Sequence, residues 1–508
     1  MADNKFKMRR YDFLGTMNQG FNPFIIDDGD FIYLKNVSQD ELGTLGKDGG
    51  YTIDKLLRGS GKVDRLHTNI NALGVQTVLG VNNGGLYKRT GATTWDTIDA
   101  SAFTADAVVS SVDYMGSAYF ATPNDVVSST NLTTVTDISA DNGGSSVKGK
   151  FLEVLNGVMY LGNIIDIYTS NMVVYTNLQD HVFSNPTEEN HDTYETTSHT
   201  ITVDGAITGL KAYQGLLLIF TEDAVWYFNP QTLEISRLAN TGAVSNDTIV
   251  EVNSVLYWAN RDGVFRFNGE SIPELISIPI MNWSTNALWR VIDGSAWGTM
   301  RAVDFEGKYM LAVGDLVGQM PGDDATQSGV VIVYDTYKDT WSFLTDHPVN
   351  AWTRFVNADG NQRLMFGSGD DASTYIKDYS YSYNGTAIDA VVRTKYFNFA
   401  DPEAIKKLHK FYLTYRPEGE TGKYITLKTA IDGSNSYVVL CDDTTANKLE
   451  LDGATGTEFK LKVVSGRLRE VHTVSYELSN ADDGVSISIL GFAQEYTTDG
   501  LDKLNMSD

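Results

Sequence analysis

The chain has 508 residues, is 42% hydrophobic and 20% charged, and carries a formal charge of −26 with a pI near 4.6. That is enough chain for a large core and two or three domains. The charge excludes a sequence-reading DNA binder, which needs a basic footprint on phosphate, and argues against docking on an anionic membrane.

Forty-six Gly, 27 Tyr and 22 Phe with few helix-favouring runs point to β structure. One cysteine, Cys441 in SYVVLCDD, rules out an intrachain disulfide framework and is expected to be a small buried apolar residue. The N-terminus MADNKFKMRRYDF lacks a signal-peptide core, and LLLIF at 216–220 is too short to span a bilayer. A soluble protein made in the cytosol is expected.

Residues 1–60 are turn-rich (DDGD at 27–30, GTLGKDGGY at 43–51) around one expected strand, FIYLKNV at 31–37. This segment is expected to be an arm or strap packed on the rest. Repeats begin near residue 61, at 75–98, 116–138, 156–177 and 215–238. The next, VNSVLYWANRDGVFRFNGES at 252–271, shows the grammar of all of them: strand, polar turn, aromatic strand, turn. Leu256 and Trp258 share one face of the first strand, and Phe265 and Phe267 one face of the second. Asp262-Gly263 and Asn268-Gly269 are expected to supply the left-handed positions of tight hairpins. SIPELISIPIMNWSTNALWRVI at 271–292 breaks the pattern and predicts a short helix around 281–291. GKYMLAVGD at 307–315 with GVVIVYDTYKDTWSFL at 329–344, and QRLMFGSGDDASTYIKDYSYS at 362–382, continue the series.

Four-stranded units at this spacing stack radially in β-propellers, which leaves few exposed edges. The expected fold is all-β: a β-propeller of about seven blades over 61–390, with six or eight open, and stacked sandwiches as the rival architecture. Longer alternating strands over 391–498 predict a separate antiparallel β-sandwich, followed by a polar tail at 499–508. Trp226, Trp258, Gly263, Phe265 and Trp341 are the expected blade-packing residues.

Catalytic patterns are missing from the sequence: it has no HExxH, no GxxxxGK[ST], no GxSxG and no CxxC. TTWDTI and DTWSFL keep only the Trp end of a sialidase box, and YDTYKDTW at 334–341 resembles Kelch-like blade packing. No enzymatic activity and no cofactor are expected. His191, His199 and His347 sit in polar segments and are expected on the surface. Two acidic loops stand out: 187–200 with Glu188, Glu189, Asp192 and Glu195, and 314–329 with Asp315, Asp323 and Asp324. Neither follows the EF-hand spacing, so no metal is assigned. The second interrupts one blade, and a long loop inside a compact unit is often functional. Asp315, Asp323, Asp324, Glu188, Glu189 and Asp192 are candidates to line or gate a lumen. A basic run, Lys406, Lys407, Lys410, Arg416, Lys423 and Lys428, is expected to split between two strand faces.

Residues 207–269, ITGLKAYQGLLLIFTEDAVWYF running into TGAVSNDTIVEVNSVLYWANRDGVFRFNG, resemble the propeller proteins of the tail nozzle or plug of short-tailed bacteriophages. Gly242, Ser245 and Thr248 match the turn of that pattern, and Trp258, Gly263, Val264 and Phe265 match its strand pair. VVIVYDTYKDTW, RLMFGSGDDASTYIKDYS and SISILGFAQEY also fit, and NPFIIDDGDFIYLKNV fits more loosely. The resemblance implies a structural virion protein made in the host cytoplasm. It would be a homo-hexameric ring below the portal and adaptor, contacting the adaptor and tail fibre proteins. Double-stranded DNA would pass through without sequence-specific binding, and no membrane is involved in the mature state. The alternative is a receptor- or glycan-binding propeller of a tail tip, since exposed aromatic rings stack on sugars.

Overall fold

The computed structural model describes residues 6–39, 43–57, 61–91, 93–138, 147–165, 170–179, 183, 199–281, 286–320, 326–445, 448–452 and 460–499. The fold is all-β: a seven-bladed propeller joined to an antiparallel β-sandwich. Blade 1 consists of Val63–Ile70, Gln76–Asn82, Gly85–Gly91 and Thr94–Asp99, and blade 2 of Ser110–Tyr114, Ser117–Ala121, Ser128–Thr130 and Val135–Asp137. Blade 3 follows with Gly149–Leu155, Val158–Ile164, Met172–Tyr175 and Thr200–Thr202, then blade 4 with Ile207–Tyr213, Leu216–Thr221, Val225–Asn229 and Glu234–Ala239. Blade 5 has Val250–Val252, Val255–Asn260, Gly263–Phe267 and Glu274–Leu275, and blade 6 Arg301–Phe305, Lys308–Gly314, Val330–Asp335 and Thr340–Leu344. The first strand of each blade lies beside the first strand or entry turn of the next.

Alternation along each strand sends one set of side chains to each neighbouring blade. In blade 5, Leu256, Trp258, Phe265 and Phe267 pack on Tyr213, Leu218 and Phe220 of blade 4. Tyr257, Ala259 and Val264 face the opposite way, where Tyr257 stacks on Tyr309 of blade 6 at 5.6 Å. The hairpin turn itself is Arg261-Asp262, because Asn260 pairs with Gly263. This corrects the expected turn. Asp262 and Asn268 are not left-handed, whereas Gly263 (φ 139°) and Gly269 (φ 90°) are. A Cβ on Gly263 would sit 2.2 Å from Ser277 Oγ, so close approach as well as φ requires glycine there. The expected helix around 281–291 is a 3-10 turn, Leu288–Val291, preceded by another at Ile278–Ile280.

The seventh blade is built from both ends of the propeller. Val349–Val356, Gln362–Ser368 and Ser373–Lys377 supply three strands, and the fourth is Gly50–Leu56 from the N-terminal arm. Val349–Val356 then packs on Val63–Ile70 and closes the ring. Asp54 on the closing strand is held bidentately by Arg89 of blade 1, at 2.7 and 3.1 Å. At its start the buried Asp48 carboxylate takes a charged contact from Lys377 at 2.5 Å. Burial pushes the Asp48 pKa up, but Lys377 and the Gly50 N–H outweigh it and hold the carboxyl below its ordinary value.

The rest of the arm enters the sandwich. One sheet contains Val37–Ser38, Leu45–Lys47, Ser488–Asp499, Ile405–Arg416 and Lys460–Val471, with Lys7–Asp12 also paired to Ser488–Asp499. The facing sheet contains Phe31–Lys35, Ala390–Thr394, Val474–Asn480, Tyr424–Ile431 and Val438–Cys441. Phe31–Lys35 also pairs in parallel with the outer strand of blade 6, so this sheet continues the blade. One core cluster therefore runs from Tyr309, Tyr334 and Trp341 to Leu427, buried Cys441 and Phe492.

Breaking a buried ion pair by removing one charge costs more than the pair itself contributes. Asp54→Asn is expected to lower unfolding stability by about 3 kcal/mol, measured by equilibrium urea denaturation. The loss should shrink when Arg89→Met is added, since no buried guanidinium is then left unpaired.

Candidate functional site

The first strands of all seven blades enclose an axial channel of about 250 Å³, opening on one side into a mouth of about 550 Å³. A first strand has an edge toward the axis, so polar residues on it meet across a narrow space with little water. Asp247, on the 3-10 turn Asn246–Thr248 entering blade 5, sits at the centre. Its Oδ1 accepts from Arg65 of blade 1 at 2.7 Å, and its Oδ2 lies 3.0 Å from Arg301 Nε of blade 6. Burial alone would raise the Asp247 pKa. The two guanidiniums reverse that and hold it below the ordinary carboxylate range. Arg301 also donates to the Met300 carbonyl at 3.0 Å.

The network runs on into the seam between blades 1 and 2. Arg65 Nε donates to Ser111 Oγ at 3.0 Å, Ser111 Oγ lies 3.1 Å from His67 Nδ1, and His67 Nε2 lies 2.8 Å from Asp113. Asp113 also accepts from Asn69 Nδ2 and the Ile70 N–H. Burial is the largest influence on the Asp113 pKa and raises it; His67, Asn69 and Ile70 together bring it below its ordinary value. The order is that of a serine–histidine–carboxylate relay, but Ser111 is buried and clasped between Arg65 and His67, so the chain of bonds ties two blades together. Glu153 and Lys211 make a further cross-blade pair at 3.5 Å. None of these residues was singled out by motif. The signal was alternation: Arg65, His67 and Asn69, then Ser111 and Asp113, are polar at every second position of innermost strands.

Of the expected lumen candidates, Asp315 alone lies among the described residues. Asp315 is exposed outside the channel lining and accepts the Gly329 N–H at 2.8 Å. Asp323, Asp324, Glu188, Glu189 and Asp192 lie outside the described residues, as do His191 and Glu195. The described residues 314–320 of the second acidic loop are anchored. Leu316 bridges to Ile292, Val317 N–H donates to the Val291 carbonyl, and Leu316 and Met320 are buried in the main core.

Among the packing residues, Trp258 is fully buried, edge-on to Phe220 and stacked on Phe265 at 6.0 Å. Trp341 lies 4.6 Å from Tyr334 beneath the arm, where Met17 N–H donates to its carbonyl. Trp226 is half-buried under Arg237. Gly242, between blades 4 and 5, is pressed so close to the Thr221 carbonyl that a Cβ would lie 1.8 Å from its oxygen. Ser245 caps no helix by its side chain, but its carbonyl accepts from Thr248 Oγ1 at 2.7 Å.

His347 corrects a sequence expectation. It is buried between Tyr51, Phe366 and Tyr383, and its Nδ1–H donates to the Thr345 carbonyl at 2.7 Å. Burial lowers its pKa to about 4, which keeps the ring neutral. His199 is half-buried beside Asn177. The basic run is dispersed into contacts: Lys406 is buried against the His472 carbonyl, Lys428 pairs with Glu477 at 2.7 Å, and Lys423 with Asp482 at 3.5 Å. Among the described residues no group of three or more His, Cys, Asp or Glu side chains could hold a metal, and no helix is long and apolar enough to cross a membrane.

No family model and no curated protein matches the sequence. Among solved structures, the chain is similar to the extracellular domain of the one component system BT4673 from B. thetaiotaomicron, at 9% identity and a TM-score of 0.43. That match covers 86% of this chain and 62% of that one. It is also similar to the WD40 β-propeller domain of Doa1 (10% identity, TM-score 0.39, covering 65% and 96%). A third is streptogramin B lyase, at 9% identity and TM-score 0.37, covering 73% and 97%. The chain thus spans less than two thirds of the first of these.

Two outcomes are expected. Asp247→Asn leaves Arg65 and Arg301 apposed and should cost about 3 kcal/mol or more of stability, read as a shift in the urea midpoint. His347 stays neutral when folded but takes up a proton when unfolded below its ordinary pKa of 6.5. Stability is therefore full above that value and falls as pH drops toward about 4. Between about pH 7.5 and about pH 5 the wild type should lose about 2 kcal/mol that a His347→Gln variant does not lose.

Proposed function

We propose that this chain is a non-catalytic structural subunit of a short-tailed phage virion. In that role six copies form a tail nozzle ring that conducts and retains the genome below the portal and adaptor. The observation that carries this reading is how the chain places its charge. Against −26 net, Arg65, Arg89, Arg301, Arg393, Lys377 and Lys406 are buried or half-buried in contacts with carboxylates or carbonyls. These six of the 39 basic side chains are held in internal contacts, and acidic side chains outnumber basic ones 65 to 39 over the chain. Six copies at −26 each give −156, and a lumen of that sign repels the DNA backbone and lets it slide.

The propeller's own axial channel is far too small for a duplex and is crossed by the Arg65–Asp247–Arg301 contacts. DNA would instead run between copies, along the axis of the ring. The pairing of Ser488–Asp499 with Lys7–Asp12, Leu45–Lys47 and Ile405–Arg416 suits a particle that must persist outside a cell, because local opening of that strand must break several ladders.

Negative-stain electron microscopy tests this reading. The expected result is six-fold rings with a central channel, or density on the tail axis when the protein is mixed with fibre-stripped tail complexes. The same preparation should not retard duplex DNA at low salt. Monomers that never dock on the axis, or salt-sensitive DNA binding, would overturn it.

A further inference from the structure

The strands that pin the N-terminal arm into the sandwich end on a buried polar cluster that neither the axial channel nor the ring closure uses. Lys47 ends Leu45–Lys47 in one sheet, and Asn480 ends Val474–Asn480 in the facing sheet, 433 residues later. Lys47 is 3% exposed and Asn480 2%. A buried ammonium is expected beside a carboxylate. Two other buried lysines follow that rule: Lys35 reaches Asp389 at 2.6 Å, and Lys395 reaches Asp28 at 3.1 Å. Lys406 meets the backbone carbonyls of Asp401 and His472. Lys47 Nζ instead donates to the side-chain amide oxygen of Asn480 at 2.9 Å and to the Asp482 carbonyl at 2.6 Å.

The amide is locked in one orientation. Asn480 Nδ2 donates to the Tyr424 carbonyl at 2.9 Å and to Asp482 Oδ2 at 3.0 Å. Its Oδ1 faces two donors, Lys47 Nζ and the Asp482 N–H at 3.3 Å. The Asp482 carboxylate is fixed in turn by the Tyr424 N–H at 3.1 Å and by Lys423 at 3.5 Å. An amine, an acyl group and a carboxylate are thus held together where the first two are buried, the arrangement that aminolysis of an amide requires. Burial lowers the Lys47 pKa to about 8; Asp482, Asp389 and Asp483 pull it up, and Lys423 pushes it down. The balance leaves a fraction of the side chain as neutral amine near neutral pH.

We propose that Lys47 and Asn480 join in an autocatalytic isopeptide bond, with Asp482 as the proton carrier. The neutral Nζ attacks Asn480 Cγ, and the charge that develops on Oδ1 is met by the Asp482 N–H. The Nζ–Cγ bond forms and the Cγ–Nδ2 bond breaks. Asp482 takes the proton given up by Nζ and delivers it from Oδ2 to Nδ2, which leaves as ammonia. One amine and one primary amide become one secondary amide and one ammonia, and no oxidant or co-reactant is consumed. The bond cross-links the two sheets of the sandwich and fastens the arm just before Gly50–Leu56, the strand that completes blade 7. It needs only one folded chain, so it stands independently of the ring described above.

The test is mass spectrometry of the full chain, denatured after purification and again after the folded protein has stood at about pH 9, where more of Lys47 is neutral. The wild type should be lighter than its sequence by one ammonia. Peptide mapping should find a branched peptide joining the segments around Lys47 and Asn480. Lys47→Arg keeps the charge, removes the nucleophile and should show its full mass. In cell-free synthesis sampled over time, Asp482→Asn should cross-link at least ~100-fold more slowly than the wild type. The branched peptide is read in the wild type, so the test stands even if Lys47→Arg misfolds. A folded wild type that keeps its full mass at the higher pH overturns the proposal. So does an ammonia loss that persists in Lys47→Arg, since it would then come from cyclisation at an Asn-Gly turn. An Asp482→Asn chain that cross-links at the wild-type rate also overturns it.

Discussion

Everything in this molecule depends on one strand pairing. Gly50–Leu56, from the N-terminal arm, supplies the outer strand of the blade whose other three strands begin 293 residues later, at Val349. Without that strand blade 7 keeps three strands and exposes a sheet edge, and exposed edges invite mispairing. The ladder is reinforced where its ends would fray. Asp48 and Lys377 hold its start, Asp54 and Arg89 its middle, and Leu57 N–H donates to the Ala372 carbonyl at its end. These anchors tie the strand both to its own blade and to blade 1, so the closing strand and the ring closure stabilise each other.

The same arm explains why propeller and sandwich behave as one body. Before reaching the closing strand, the chain passes through Phe31–Lys35, which bridges the outer strand of blade 6 to the sandwich. The edge that blade 6 would otherwise present is thereby covered, and a continuous core runs through the junction. Such a topology is slow to form, since contacts across hundreds of residues must close before they stabilise anything. Once formed, it is slow to undo, because Ser488–Asp499 cannot peel away without giving up its pairing with Lys7–Asp12, Leu45–Lys47 and Ile405–Arg416.

Much of this was legible in the sequence, for physical reasons that also mark where legibility stops. The alternation of Leu256 with Trp258 and of Phe265 with Phe267 is a local signal, and it led directly to blades packed on both faces. The closing strand GYTIDKL follows a run of glycines and resembles the turn-rich arm around it. Its partner is too distant in sequence for any local pattern to show. His347, between Asp346 and Pro348, has polar neighbours that suggest a surface loop, yet three aromatic rings enclose it. Burial of that ring is a property of the assembled seam and not of the segment. The axial contacts were missed for a related reason. Arg65, Asp247 and Arg301 are scattered along the chain, and only closure of the circle brings them to one point.

That convergence bears on how the surface works. A chain with 39 basic and 65 acidic side chains could scatter its cations over the exterior and soften its own repulsion. Here five of the cations are drawn inward, across the axis at Arg65 and Arg301, into the closure at Arg89 and Lys377, and into the sandwich at Arg393. Each inward pair gives up solvation in exchange for geometry, which specifies how blades meet more than it adds net stability. The exterior is left with a surplus of carboxylates, and like-signed surfaces keep copies and polyanions apart. On such a surface, the few charge-poor areas become the places where contact is least opposed.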